Sequence, residues 1–129
     1  MSQYEARLER DLGRIRVEIR DLAEAVQVSL ETASRALFAG DHELSYSVCL
    51  GDHPINRASR ALDKACHGFI AVHLPSAGHL RYISAVMRAN LELERVGAAG
   101  AAAGGRDRRS PGTCGAGGSE CPEAGHHRL

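Results

Sequence analysis

Apolar residues recur along the first forty positions at alternating steps of four and three. Leu8, Leu12, Ile15, Ile19, Leu22, Val26, Ala33 and Leu37 mark the stripe, with Leu30 close beside it. That rhythm is a heptad seam, and it predicts one long helix from about Tyr4 to Phe38. Charged residues fill the intervening positions, and Arg14 with Glu18 has the spacing of a solvent-face ion pair. Gly13 weakens the helix by roughly 1 kcal/mol relative to Ala, and Gly40 is placed to stop it. Asp41 is a good N-cap for a second helix from about His42 to His73. Its stripe reads Leu44, Val48, Ile55, Ala58, Leu62, Ala65, Phe69 and Val72. Gly51-Asp52-His53-Pro54 interrupts that stripe, and Pro54 predicts a kink or a break there. After Leu74-Pro75-Ser76-Ala77-Gly78, a third helix begins near Ala77 with Ser76 as its cap. Leu80, Ile83, Met87, Asn90, Leu91 and Glu94 lie along its stripe. Polar groups on an apolar stripe are costly unless paired, so Asn90 is expected to hydrogen-bond at the edge of the core.

Connections this short join antiparallel neighbours. The predicted fold is therefore all-α: an up-down-up three-helix bundle over residues 4–97. From Ala98 the character changes. Eight of the fourteen glycines lie beyond that point, and no apolar residue larger than Ala appears before Leu129 except two cysteines. Residues 98–129 are expected to be a disordered Ala/Gly-rich tail, because they cannot offset their ordering entropy by burial.

Composition narrows the function. Sixteen basic and sixteen acidic residues cancel, which gives no electrostatic case for nucleic acid or an anionic membrane. The N-terminus has no apolar signal segment, and no stretch is long enough to cross a bilayer. A cytoplasmic protein with free thiols is the expectation. No nucleophile–base pair, phosphate-cradling loop or dinucleotide fingerprint is present, so catalysis is not expected. His53, His67, His73 and His79 do not repeat as zinc ligands on one turn. Nor does the spacing of Cys114, Cys121, His126 and His127 match a zinc ribbon or finger.

Four segments carry a specific likeness: Gly51-Asp52-His53-Pro54-Ile55-Asn56, Leu62-Asp63-Lys64-Ala65-Cys66, Leu74 to Arg81, and Leu91-Glu92-Leu93-Glu94-Arg95-Val96-Gly97. In order and spacing they resemble the PhoU family of phosphate-specific transport accessory proteins, over about residues 4–97. The resemblance implies a protein of two similar three-helix repeats, of which this chain carries the N-terminal one. It implies a cytoplasmic negative regulator of phosphate uptake and of the phosphate-starvation response. Its implied partners are the phosphate ABC transporter, through its ATPase, and a sensor histidine kinase. It also implies a homodimer.

The resemblance implies metal clusters, held by one E-x-x-x-D motif on the second helix and one on the third. Carboxylates four apart share a helix face, and two such pairs make a hard oxygen surface for iron, zinc, manganese or magnesium. Here each motif keeps one acid, Asp63 and Glu94, while Ser59 and Ala98 stand where the family has the other. Two carboxylates, with Asn90 or Ser59, form a weak site. The alternative reading is a helical interaction or metal-binding module without regulatory activity. A reading-frame shift at Ala98 would account for the change of composition there.

Overall fold

The computed structural model describes residues 2–105, and these form three helices. They are α1 (Gln3–Ala39), α2 (His42–His73) and α3 (Ala77–Gly105). Each packs against both of the others, which is the predicted three-helix bundle.

The ends of the helices follow from local chemistry. Ser2 starts α1 with a capping box: its hydroxyl accepts from Glu5 N, and Glu5 Oε2 accepts from Ser2 N. The helix therefore begins slightly ahead of the expected Tyr4. Gly40 ends it in the left-handed region (φ 62°), where a Cβ would be strained. Asp41 then accepts from Glu43 N and Leu44 N and caps α2. Leu74 closes α2 in the same left-handed region without being glycine, and Pro75 prevents continuation.

Two expectations are corrected. The first is the break at Pro54, which sits inside an unbroken α2. Only one backbone donor is lost, and the flanking turns remain helical on both sides. The second concerns Ala98. The chain does not lose its helix after Gly97; α3 continues through Gly105. Alanine is the strongest helix former, so Ala98, Ala99 and Ala101–Ala103 sustain the turns. Gly97 and Gly100 are buried where α3 meets its neighbours; a side chain would fit in ordinary contact at Gly97 and would crowd Leu30 at Gly100. A Cβ on Gly97 would lie 3.4 Å from Ile55 Cγ2 and 3.8 Å from Val26 Cγ2; one on Gly100 would lie 3.0 Å from Leu30 Cδ2. The remainder of the expected tail, residues 106–129, lies outside the described residues.

The core runs along the axis. Leu12, Ile15, Leu22 and Val26 of α1 meet Ile55, Leu62, Cys66 and Phe69 of α2 and Ile83 and Val86 of α3. The α1 stripe is largely as its periodicity indicates, although Leu37 is exposed and Ala36 takes its place. On α2 the inward face is shifted by about one position. Ser45, Ser59, Cys66 and His73 are buried, whereas Ala58 and Val72 face outward. On α3, Leu80 and Leu91 are exposed and Val86 is buried.

Candidate functional site

The α2–α3 seam gathers the polar residues singled out on both helices. Asn90 is buried, and its Nδ2 donates to the backbone oxygen of Ser59 at 3.0 Å. This crosslink fulfils the expectation for Asn90 and fixes the register of the two helices. One turn further along α3, the exposed Glu94 brings Oε2 to 3.5 Å from Ser59 Oγ, and the hydroxyl donates. Asn90 Oδ1 is buried and has no hydrogen-bond partner among the described residues. Asp63, one turn along α2 from Ser59, is exposed and turned to its own helix. Its Oδ2 lies 3.4 Å from Nδ1 of His67, whose ring also approaches Asp63 O at 2.8 Å. The structure thus joins Ser59, Asn90 and Glu94 and leaves Asp63 in a separate pair.

These groups do not fit a multinuclear metal cluster. The joined donors are one carboxylate, one hydroxyl and one amide oxygen, far short of the six or more oxygens a hard cation takes, and carrying only a single negative charge. Ala98 supplies no donor on the next turn of α3. Among the described residues, no three His, Cys, Asp or Glu side chains converge. What the arrangement does chemically is hold two helices together. Where an acid at position 59 would face Glu94 with like charge, an uncharged serine hydroxyl donates to its carboxylate across a long contact instead.

A second polar cluster was not legible as a unit in the sequence. His73, at the end of α2, is buried between Tyr4 and Phe69, with ring centroids 5.9 and 4.8 Å away. Its Nε2 donates to Asp11 Oδ2 at 2.7 Å, and Tyr4 Oη donates to the His73 carbonyl. Nδ1 is buried with no hydrogen-bond partner among the described residues. The available signal was the spacing Leu62, Cys66, Phe69, His73, which places the histidine on the core face; reading alanines as core had moved that face aside. The cluster carries no nucleophile: the second ring nitrogen faces neither hydroxyl nor thiol. Nor does Cys66 supply one. Burial, aided by the negative charges of Asp63 and Glu18, pushes its thiol up to about 11, so it stays protonated at neutral pH.

The α1–α2 side is open. A shallow cavity of about 820 Å³ runs between the two helices, over a floor of Ala25, Val28, Pro54, Ala58 and Ala61. Among the described residues, no helix is long and apolar enough to cross a membrane.

Comparison with known proteins accords with this geometry. The family model described as the PhoU domain matches residues 19–101, so the match runs beyond Ala98, as α3 does. Phosphate-specific transport system accessory protein PhoU of Serratia marcescens is 34% identical over 87 residues, covering 67% of this chain and 36% of the relative. Its Escherichia coli K12 counterpart is 33% identical over the same length and shares. The PhoU homolog of Aquifex aeolicus is 30% identical over 91 residues, covering 70% of this chain and 41% of that protein. The chain thus spans about a third to two fifths of the length of these relatives. No solved structure matches it. With a family match over most of the bundle and relatives about a third identical over the aligned stretch, this chain belongs to the PhoU family.

Proposed function

We propose that this chain is an accessory regulator of phosphate uptake that works by binding other proteins and not by catalysis. The observation that carries the reading is the coincidence of the PhoU match, residues 19–101, with the three-helix bundle. The relatives' name, phosphate-specific transport system accessory protein, supports an association with the transporter. In this reading the bundle acts in the cytoplasm as a homodimer. It engages the ATPase of the phosphate ABC transporter and the partner sensor histidine kinase, and it restrains the phosphate-starvation response. A cluster of iron, zinc, manganese or magnesium is disfavoured in this reading, because Ser59 and Ala98 remove half of the acids on which it would depend and leave Asp63 and Glu94.

The test pairs a binding measurement with a cellular one. The full chain is immobilised and presented with the purified transporter ATPase, and a starvation-response reporter is measured with and without the chain. Saturable binding at micromolar concentration together with a repressed reporter is the expected result. No binding at those concentrations overturns the adaptor role. Binding without repression leaves an interaction module that lacks regulatory activity.

A further inference from the structure

We infer that the open α1–α2 groove is the face through which two copies of this chain pair, with α1 of each lying over α2 of the other. The inference deepens the homodimer part of the proposed function. It does not depend on the transporter part, and failure to capture the ATPase leaves it standing.

The groove is apolar and shallow. Val28 is 62% exposed, and Leu50, on the outer edge of α2, is 55% exposed; Ala25, Pro54, Ala58 and Ala61 lie between them. Such a surface gains from being covered, and its small residues allow a helix to approach closely. The occupant is indicated by charge. The α1 wall carries Glu18, Asp21 and Glu24. Arg14 pairs with Glu18, and a single Arg20 is shared by Asp21 and Glu24 at 3.5 and 3.9 Å, so the wall remains net negative. The α2 rim carries Arg57 and Lys64, seven apart and both exposed, with no ion-pair partner among the described residues. One face thus presents an acidic rail and a basic rail on opposite sides of an apolar floor, which makes it complementary to itself.

The heights of the rails agree. Val26 and Ile55 both flank Gly97, and Asp11 bonds His73, so α1 and α2 run antiparallel with these residues level. That alignment puts Glu18 level with Lys64 and Glu24 level with Ala58, one residue from Arg57. A two-fold axis parallel to the helices preserves height and sets α1 of one copy over α2 of the other. Glu18 then meets the second copy's Lys64, and Glu24 its Arg57. The other face-to-face choice, with the axis across the helices, sets α1 on α1 and drives acid against acid.

Sedimentation equilibrium of the full chain at low ionic strength tests the pairing, with circular dichroism confirming that each variant folds. The wild type is expected to dimerise. Ala58→Glu, at an exposed floor position, is expected to raise the dissociation constant about tenfold or more. E18K and K64E alone are each expected to weaken pairing about threefold to tenfold, and the double variant E18K/K64E to recover to within about twofold of wild type. Three results overturn the inference: a wild type still monomeric at about 1 mM, a dimer indifferent to A58E, or a double variant as weak as its two singles combined. E18K strengthening the dimer while K64E does nothing would also overturn it, since that is the signature of α1 lying on α1.

Discussion

The α2–α3 seam and the α1–α2 groove are built from similar residues and end up with opposite characters. Both contain small side chains: Ser59 and Gly97 in the seam, and Ala25, Ala58 and Ala61 in the groove. In the seam the small residues face another helix. Gly97 brings α3 against Ile55 and Val26, and Asn90 ties it to the Ser59 carbonyl. In the groove the small residues face no other helix among the described residues, and Val28 and Leu50 stand out beside them. Small size permits close approach, but it does not show which partner approaches. In the seam, a buried directional hydrogen bond settles that.

Substitutions can break this contrast or sharpen it. The largest effect is expected in the shared core. Leu62→Ala, at a fully buried position on α2, should cost about 3 kcal/mol in urea unfolding, through lost transfer energy and the cavity left behind. Next comes the histidine cluster beyond the seam. His73→Ala removes the hydrogen bond to Asp11 and the packing on Tyr4 and Phe69, and should cost about 2 kcal/mol by the same assay. At the seam itself, Ser59→Glu should be about 1 kcal/mol less stable than Ser59→Gln, which has the same size without the charge facing Glu94. Millimolar manganese should narrow that gap in thermal melts, and chelator should restore it. The smallest effect belongs to the groove. Ala58→Ser and Val28→Thr should each stay within about 0.5 kcal/mol of wild type in the isolated monomer. If they destabilise the monomer as seam substitutions do, the groove is not open and the contrast fails.

Much of the fold was legible because long amphipathic stripes are strong signals. The α1 periodicity, the Gly40 stop, the Asp41 cap and a short connection between α2 and α3, residues 74–76, all appear as their chemistry requires. Two of the misreadings come from taking small residues by composition. The alanines and glycines from Ala98 on read as the end of order, because such residues bury too little surface to offset their ordering entropy. In the bundle, Gly97 and Gly100 are contact points inside a helix that alanine sustains. On α2, alanines were read as core because they are apolar, yet Ser45, Ser59 and His73 hold the inward face because each has a hydrogen-bonding partner there. Of the candidate site, the closeness of Glu94 and Ser59 across two helices followed from motif positions. The turning of Asp63 to His67 did not, since an i,i+4 pair on one helix and a contact across the seam are equally open to an exposed acid.

The turn at Leu74 has a consequence of its own. A leucine held at φ 42° and 86% exposed gains nothing from its side chain and is strained in its backbone. Glycine at that position would relieve the strain, so the wild-type hairpin between α2 and α3 is a slightly cocked spring. Just before it, Tyr4 and Phe69 both pack on His73, so the chain enters that turn from an anchored end of α2.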